Sequence, residues 1–439
     1  MKILMFPTRF YPAISGGDFY LERLGRELKR KQLQNNQVQF ITTDAIDFAG
    51  LKGKGKIVAP NHRFFSRYKN LQIKRYRTHP LERMVQEKSE EEQELYELCH
   101  KMLKLSSETI EPLMDNGPII PELNQFLLNN NQNKSILYNF KPEIMHCTYL
   151  PYTTLLYCLL LGKKMKIPTC VTPFLHENNF RYKNQELYKI LDQFDAILAC
   201  TNHEKMIMIK NGVLEEKIHV LPMGVDSKRF QQDHKKLVRR LYSIENPVVL
   251  FCGYKNYEKG ALTLLNTIPL IIKENSAISF IFIGPPTTAF NYTVKKIKSK
   301  YPAAQILNLT PENLTGIYDK KKIGAFQLAK VFCMPSRSDA YGIVFLESWA
   351  SGTPVIAANI PAMHEVIDNQ EDGILVEFDN PKALKKIILD LINNPEKAQT
   401  MGKKGQNKVE EQNRWDIIAK QTLKIYQKLI NSRELNENN

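Results

Sequence analysis

Short runs of continuously apolar residues, each separated from the next by a helix-length segment, recur along almost the whole chain and constrain its fold more than any other feature. In the first half they are KILMFP (2–7), VQFITT (38–43), EIMHC (143–147), TCVTPF (169–174), AILACT (196–201) and HVLPMG (219–224). In the second half they are PVVLFCG (247–253), ISFIFIG (278–284), QILNL (305–309), VFCMPS (331–336), PVIAA (354–358) and GILVE (373–377). Strands that are apolar on both faces belong in parallel sheets covered on each side by helices. Two such series in succession predict an α/β chain of two Rossmann-like domains with a boundary near residue 243. The length of 439 residues is too great for one core and suits two.

Two segments depart from this rhythm. Residues 81–140 hold no convincing strand, but Ser89 and Glu92 have the spacing of a capping box, and Leu95, Leu98, Met102 and Leu105 repeat at helical intervals. A helical insertion with a core-facing stripe is expected there. Near the end, Trp415, Ile418, Thr422, Tyr426 and Leu429 predict an amphipathic helix, followed by a polar tail, SRELNENN, expected to fray.

Apolar content of 43% and charged content of 24% are globular values. The opening residues MKILMFPTRFYP carry no signal-peptide pattern, and the longest apolar stretch, TTLLYCLLLG (153–162), is about half the length of a bilayer span. A cytoplasmic protein without a spanning segment is expected. The seven cysteines form no C-x-x-C pair, which argues against a zinc or dithiol site and fits buried reduced thiols.

The formal charge of +15 is uneven. Between Asp47 and Glu82 there is no acid, while Lys52, Lys54, Lys56, Arg63, Arg67, Lys69, Lys74, Arg75 and Arg77 accumulate, interleaved with Phe64, Phe65, Tyr68 and Tyr76. Such a patch favours an anionic partner: lipid headgroups, a phosphorylated acceptor or nucleic acid. A solvated basic loop is the other reading of the same residues.

In a doubly wound domain ligands bind at the carboxyl ends of the strands. The segment SRSDAYGIVFLESWASGTPVIA (336–357) stands at such an end: a loop after VFCMPS, then a helix opening at Gly342. The first N–H groups of that helix, from Gly342, Ile343 and Val344, lack intrahelical acceptors and suit a diphosphate. Glu347, set among Phe345, Leu346, Trp349 and Ala350, needs a partner if buried and could accept bonds from vicinal hydroxyls. Asp339 sits in the loop before it. In PVVLFCGYKNYEKG (247–260), Gly253 ends a strand and Lys259 precedes the next helix at the same edge, where an ammonium could neutralise a diphosphate.

These segments resemble the retaining GT-B glycosyltransferases of glycosyltransferase family 4. PSRSDAYGIVFLESWASGTPVIA is similar to that family's acid-x7-Glu motif, GYKNYEKG to its donor loop, and IPAMHEVIDNQEDGILVE (360–377) to the element that follows. LPMGVD (221–226) resembles the end of the family's first domain. FYPAISGG (10–17) resembles its Gly-Gly loop, and VTPFLHE (171–177) the strand bearing a histidine towards the donor sugar.

The resemblance implies a GT-B fold, two Rossmann-like domains facing each other across a cleft. Residues 1–243 would bind the acceptor and carry the insertion at about 81–140, residues 244–411 would bind the nucleotide sugar, and 412–439 would form a helix crossing back and limiting domain opening. It further implies that Glu347 binds the ribose, that the Ile343 and Val344 amides hold the phosphates beside Gly342, and that Lys259 neutralises the departing diphosphate. Asp339 would hold the donor sugar and His176 would contact it from the other domain. Gly253 and Tyr254 would belong to the donor loop, and Gly16 and Gly17 would line the cleft. Three departures stand out: Asp339 where glutamate is usual, Tyr254 where the donor loop has arginine, and IGPP (283–286) where a second glycine is frequent.

The implied activity is retaining transfer of a sugar from a nucleotide diphosphate sugar to a glycan or lipid-linked acceptor. No D-x-D triplet is present, so no metal is expected, and no cofactor beyond the substrate. The basic region 52–77 is a candidate for peripheral contact with an anionic membrane, at the inner face of the plasma membrane. Three rivals remain. A nicotinamide dehydrogenase would need the G-x-G-x-x-G that neither GGDFYL nor GKGKIV completes. A transferase-like protein with impaired catalysis, serving in binding or regulation, is motivated by Tyr254. A nucleic-acid binder rests on charge alone, so no nucleic-acid partner is expected.

Overall fold

A computed structural model of the chain describes residues 1–13, 16–30, 36–59, 71–81, 88–129 and 136–437. Two compact units result: Met1–Leu175 with Asn179–Leu221 and Trp415–Asn439, and His176–Asn178 with Pro222–Arg414.

The first unit is built on seven strands, β1 (Lys2–Phe6), β2 (Gln37–Thr43), β3 (Gln72–Tyr76), β4 (Ile144–Thr148), β5 (Thr169–Thr172), β6 (Ala196–Ala199) and β7 (Ile218–Val220). They pair in the order β3-β2-β1-β4-β5-β6-β7, parallel throughout. Six coincide with the apolar runs. The seventh, β3, has the sequence QIKRY and lies at the sheet edge beside β2, only partly covered, so it needs no continuous apolar run and reads as part of the basic stretch.

Of the expected insertion, residues 82–87 and 130–135 lie outside the described residues, and the rest carries helices at Glu90–Leu98, Cys99–Leu103, Ser107–Met114, Pro121–Leu128 and Ile136–Phe140 joined by short turns. Ser89 accepts from the Glu92 amide at 3.3 Å while the Glu92 carboxylate accepts from the Ser89 amide at 3.1 Å, so the box caps helix Glu90–Leu98. Leu95, Leu98 and Leu105 are buried, and Met102 packs beside them in the core that includes Leu156 and Leu160.

The last helix, Trp415–Glu437, packs on helix Gly16–Leu28 within the first unit. Its Tyr426 hydroxyl meets His146 Nδ1 on β4, and His146 Nε2 lies 2.9 Å from Thr172 Oγ1 on β5. Burial holds His146 down to about 3, so the ring is neutral. The helix continues to Glu437, so residues 432–437 of the tail are helical where fraying was expected, with neither Gly nor Pro among them to stop the helix; Asn438 and Asn439 lie outside the described residues.

The second unit carries β8 (Val248–Cys252), β9 (Ser279–Ile283), β10 (Gln305–Leu309), β11 (Ala329–Met334), β12 (Val355–Ala358) and β13 (Gly373–Val376), parallel in the order β10-β9-β8-β11-β12-β13. It starts at Pro222 and so includes residues 222–243. Helices Ser227–Phe230 and Lys235–Tyr242 lie on helix Lys320–Leu328, with the Phe230 ring edge-on to Phe326 at 5.8 Å; these apolar partners hold the segment there.

In each sheet the order of strand addition reverses once, between β1 and β4 and between β8 and β11. Ligands bind outside the carboxyl ends at such points. All seven cysteines are free and buried. Among the described residues no helix is long and apolar enough to cross a membrane.

Candidate active site

At the carboxyl end of β11, beside the reversal in the second sheet, the chain turns through Gly342 into helix Ile343–Ala350. Gly342 has φ 81°, and a Cβ there would lie 2.5 Å from the Phe345 ring, so the turn requires glycine. Phe345, Leu346 and Trp349 are buried, and the Trp349 indole donates to Asp372 O at 2.8 Å. Gly405 makes room for that indole, since a Cβ would stand 2.0 Å from Trp349 Cδ1. Truncating so buried a ring would cost about 3–5 kcal/mol. The helix is therefore fixed, with half-buried Ile343 and Val344 at its amino end, where the first N–H groups have no intrahelical acceptor.

Lys259 reaches the same loop. Gly260 (φ 76°) packs so closely on β11 that a Cβ would be 2.3 Å from Pro335 O. This approach sets Lys259 Nζ 2.8 Å from Asp339 Oδ2 and 3.4 Å from Ser338 O. Tyr257 anchors the loop, its hydroxyl donating to Asp379 at 3.2 Å and its ring packing on Phe378. Although Asp339 is buried, which opposes ionisation, Lys259 and His176 hold its carboxyl below the usual range.

Glu347, four residues into the helix, is fully enclosed, and its Oε1 lies 2.7 Å from Lys322 Nζ. Lys322 arises from helix Lys320–Leu328, with its ammonium 5.8 Å from the Phe326 ring and 6.0 Å from Phe230. Burial works against its charge, but Glu347 outweighs that and the ammonium is retained. Burial raises the Glu347 carboxyl while Lys322 opposes the rise. The second oxygen, Oε2, is buried without a hydrogen-bond partner among the described residues. Such an acceptor is costly unless something fills it. Both groups stand within electrostatic reach of Cys252, the last residue of β8, where the Lys259 loop begins.

His176 belongs to the three-residue segment grouped with the second unit. It stands by Lys259, Asp339 and the Ser338 backbone, and Asn178 donates to Arg337 O at 3.1 Å. Burial, then Lys259, push the His176 ring down to about 4, so it is neutral near pH 7. Tyr254 is half-exposed. Lys255 turns inward: its ammonium meets Asn308 Oδ1 and Leu309 O and lies 5.4 Å from the Phe290 ring, and burial lowers it to about 8. It therefore does not add a second cation beside Lys259. Gly253 is unstrained; the close approach is made by Gly284 (φ 129°), whose Cβ would be 2.0 Å from Gly253 O.

Gly16 and Gly17 open helix Gly16–Leu28 of the first unit. The Gly17 amide donates to the Tyr149 hydroxyl at 3.1 Å, and a Cβ there would strike the Tyr149 and Phe174 rings at 2.6 and 2.8 Å. Lys322 is the site residue that sequence reasoning missed. Its signal was indirect: an acid enclosed by Phe345, Leu346 and Trp349 requires a counter-ion, but nothing in the spacing says which of the three lysines 320–322 turns inward.

Two family models match successive stretches, Glycosyltransferase Family 4 over residues 88–229 and Glycosyl transferases group 1 over 236–408. The chain belongs to glycosyltransferase family 4. Within that family it is 28% identical over 243 residues to the GDP-mannose-dependent alpha-(1-6)-phosphatidylinositol monomannoside mannosyltransferase of Mycobacterium tuberculosis, covering 53% of this chain and 62% of that one. The matches span between 48% and 63% of the length of the curated relatives. Sucrose-phosphate synthase from Thermosynechococcus elongatus has the same fold, with TM-score 0.70 at 18% identity over 98% of this chain and 99% of that one. So does Anabaena HepE, solved with UDP and glucose, at TM-score 0.67 and 14% identity over 97% and 99%. The fold is GT-B.

Proposed function

We propose that this chain is a metal-independent retaining glycosyltransferase, moving a sugar from a nucleotide diphosphate sugar to a glycan or lipid-linked acceptor. The observation that carries the reading is the grouping of Lys259, Asp339, the amino end of helix Ile343–Ala350 and the Glu347 oxygen that lacks a hydrogen-bond partner among the described residues, at one sheet edge. Glu347 Oε2 would accept from ribose hydroxyls, relieving its lack of a partner. The Ile343 and Val344 amides and Lys259 would hold the diphosphate. Asp339 would then exchange its bond to Lys259 for the sugar's hydroxyls, with neutral His176 beside it. The diphosphate is already a leaving group, so the protein's work is positioning and charge stabilisation. The acceptor oxygen bonds to the anomeric carbon on the face from which the diphosphate departs. A phosphate oxygen takes the acceptor's proton, and retention follows. The relative that uses GDP-mannose and a phosphatidylinositol glycolipid supports a nucleotide sugar and a lipid-linked acceptor as classes.

A second reading, a transferase-like protein with impaired catalysis, is favoured by one observation: Tyr254 replaces an arginine and Lys255 points away, leaving Lys259 as the loop's one cation at this edge among the described residues. The deciding experiment is to incubate the protein with a panel of nucleotide sugars, with and without a chelator, and to follow release of the nucleoside diphosphate. Turnover that survives chelation and is lost in Lys259→Ala fits the transferase. Nucleotide binding without turnover of any donor would select the second reading.

A further inference from the structure

The first unit has its own point of strand reversal, between β1 and β4, and four loops meet at that carboxyl edge. Arg9 follows β1, Phe48 follows β2, Tyr152 follows β4 and Arg181 follows β5. Their side chains form one ladder. The Arg9 guanidinium lies 3.8 Å over the Phe48 ring, Phe48 stacks on Tyr152 at 5.8 Å and 16°, and Arg181 stands 5.4 Å from the Tyr152 ring. Arg9 pairs with Asp18 at 2.9 Å and donates to Ile46 O at 3.2 Å, yet its Nε is buried without a hydrogen-bond partner among the described residues. Arg181 donates to two neutral groups, Asn116 Oδ1 and, at 3.4 Å, the Tyr152 hydroxyl. Phe48 remains 47% exposed, so the ladder presents an open aromatic face between its guanidinium ends.

The rim of this edge is where the described part of the acid-free run lies. Lys52, Lys54 and Lys56 are exposed in the turn after β2, and Arg75, at the end of β3, donates to the carbonyls of Thr43 and Tyr11. Three described carboxylates near this edge already hold other groups. Asp18 holds Arg9, Asp44 accepts from the Thr78 amide and hydroxyl, and Asp47 accepts from the Gly50 and Lys56 amides at 2.7 and 3.1 Å. Among the described residues, Lys52, Lys54 and Lys56 have no carboxylate within ion-pair distance. A guanidinium presents paired donors that match a phosphate, and an aromatic face beside it takes the apolar side of a ring.

We infer that the acceptor is anionic, a phosphate-bearing sugar or polyol seated on the Phe48–Tyr152 stack with its charge towards Arg181 and the lysine turn. This rests on the transferase reading and adds the acceptor's charge to it. The phosphate belongs either to a soluble sugar phosphate or to a lipid headgroup.

The test measures binding of glucose 1-phosphate, mannose 6-phosphate and glycerol 3-phosphate against glucose, mannose and glycerol. Sedimentation with phosphatidylcholine vesicles, with and without about one-third phosphatidylglycerol, forms the second arm. UDP and GDP binding is followed in every sample. The phosphorylated compounds are expected to bind at least about tenfold tighter than their parents. Arg181→Gln, and separately Lys52/Lys54/Lys56→Gln, should weaken that binding while nucleotide binding stays intact, which also shows the variants folded. Binding of the soluble compounds alone assigns a soluble acceptor, and vesicle binding that the same substitutions abolish assigns a headgroup. Equal binding of phosphorylated and neutral compounds, binding indifferent to both sets of substitutions, or no binding in either arm would overturn the inference. If nucleotides bind in those samples, the transferase reading survives; if no nucleotide binds, that reading fails on its own account.

Discussion

Two lysine–carboxylate pairs at the candidate site have nearly equal lengths, Lys322–Glu347 at 2.7 Å and Lys259–Asp339 at 2.8 Å, and differ in their surroundings. The first is sealed: side-chain exposures are 7% and 3%, and two phenylalanine rings lie near the ammonium. The second keeps 24% of its lysine exposed on a loop joined to β11 through Gly260. A sealed pair is strongly coupled to folding, because removing one member leaves the other charge stranded. A pair whose ammonium reaches solvent is partly screened, contributes less to stability and can change partners. Geometry that looks alike therefore separates a fixed carboxylate, presenting one oxygen, from a contact that a substrate can replace.

The contrast is sharpest in the sealed pair. Lys322→Met is expected to destabilise the second unit by about 3–5 kcal/mol in denaturant unfolding. The double change Lys322→Met with Glu347→Leu should recover most of that stability while losing nucleotide binding; a double variant as unstable as the single one would break the assignment. Lys259→Ala should show the reverse pattern. Its unfolding free energy should shift by no more than about 1 kcal/mol, whereas kcat should fall on the order of 10²–10³-fold. A large loss of stability would show that the open pair is structural.

His176 supplies a pH test of the same contact. Because burial and Lys259 hold its ring down to about 4, it is neutral in the folded protein above that value. The ratio of kcat/KM between the native protein and His176→Gln should therefore stay constant from about pH 6 upward, as checked by paired pH profiles. The stability sign follows from the same depression. Below the ordinary value of 6.5 and down to about 4, the unfolded ring binds a proton that the folded one does not. Stability consequently falls on acidification through that window, and His176→Gln should remove this part of the slope. The smallest effect is expected at half-exposed Tyr254. Tyr254→Arg should change stability by less than about 0.5 kcal/mol, and it should raise turnover if a second cation is what the loop lacks. An unchanged rate would place diphosphate stabilisation wholly on Lys259 and the helix amides.

The strands were legible because a strand buried on both faces must be continuously apolar, and twelve such runs stand in the sequence. β3 was hidden because an edge position accepts Lys74 and Arg75 among its residues. The start of the second unit was displaced because Phe230 and Val238 carry no mark of which core they join. At the candidate site, Asp339, Gly342 and Glu347 were legible from spacing within one segment. Lys322 and the inward turn of Lys255 were not, since both depend on contacts with residues far along the chain, Glu347 in one case and Asn308 and Leu309 in the other. The strained glycines were only half visible: Gly260 could be placed before a helix, but its approach to Pro335 could not.

Tyr426, the partner of His146 at the centre of the first sheet, lies in helix Trp415–Glu437, on the far side of the second unit in chain order. During translation residues 1–414 would thus emerge with a polar ring in the first core still lacking that hydroxyl, until Tyr426 itself has been added. The first unit cannot complete its native packing before that residue is made, and the second unit, complete by Arg414, has the chance to consolidate first.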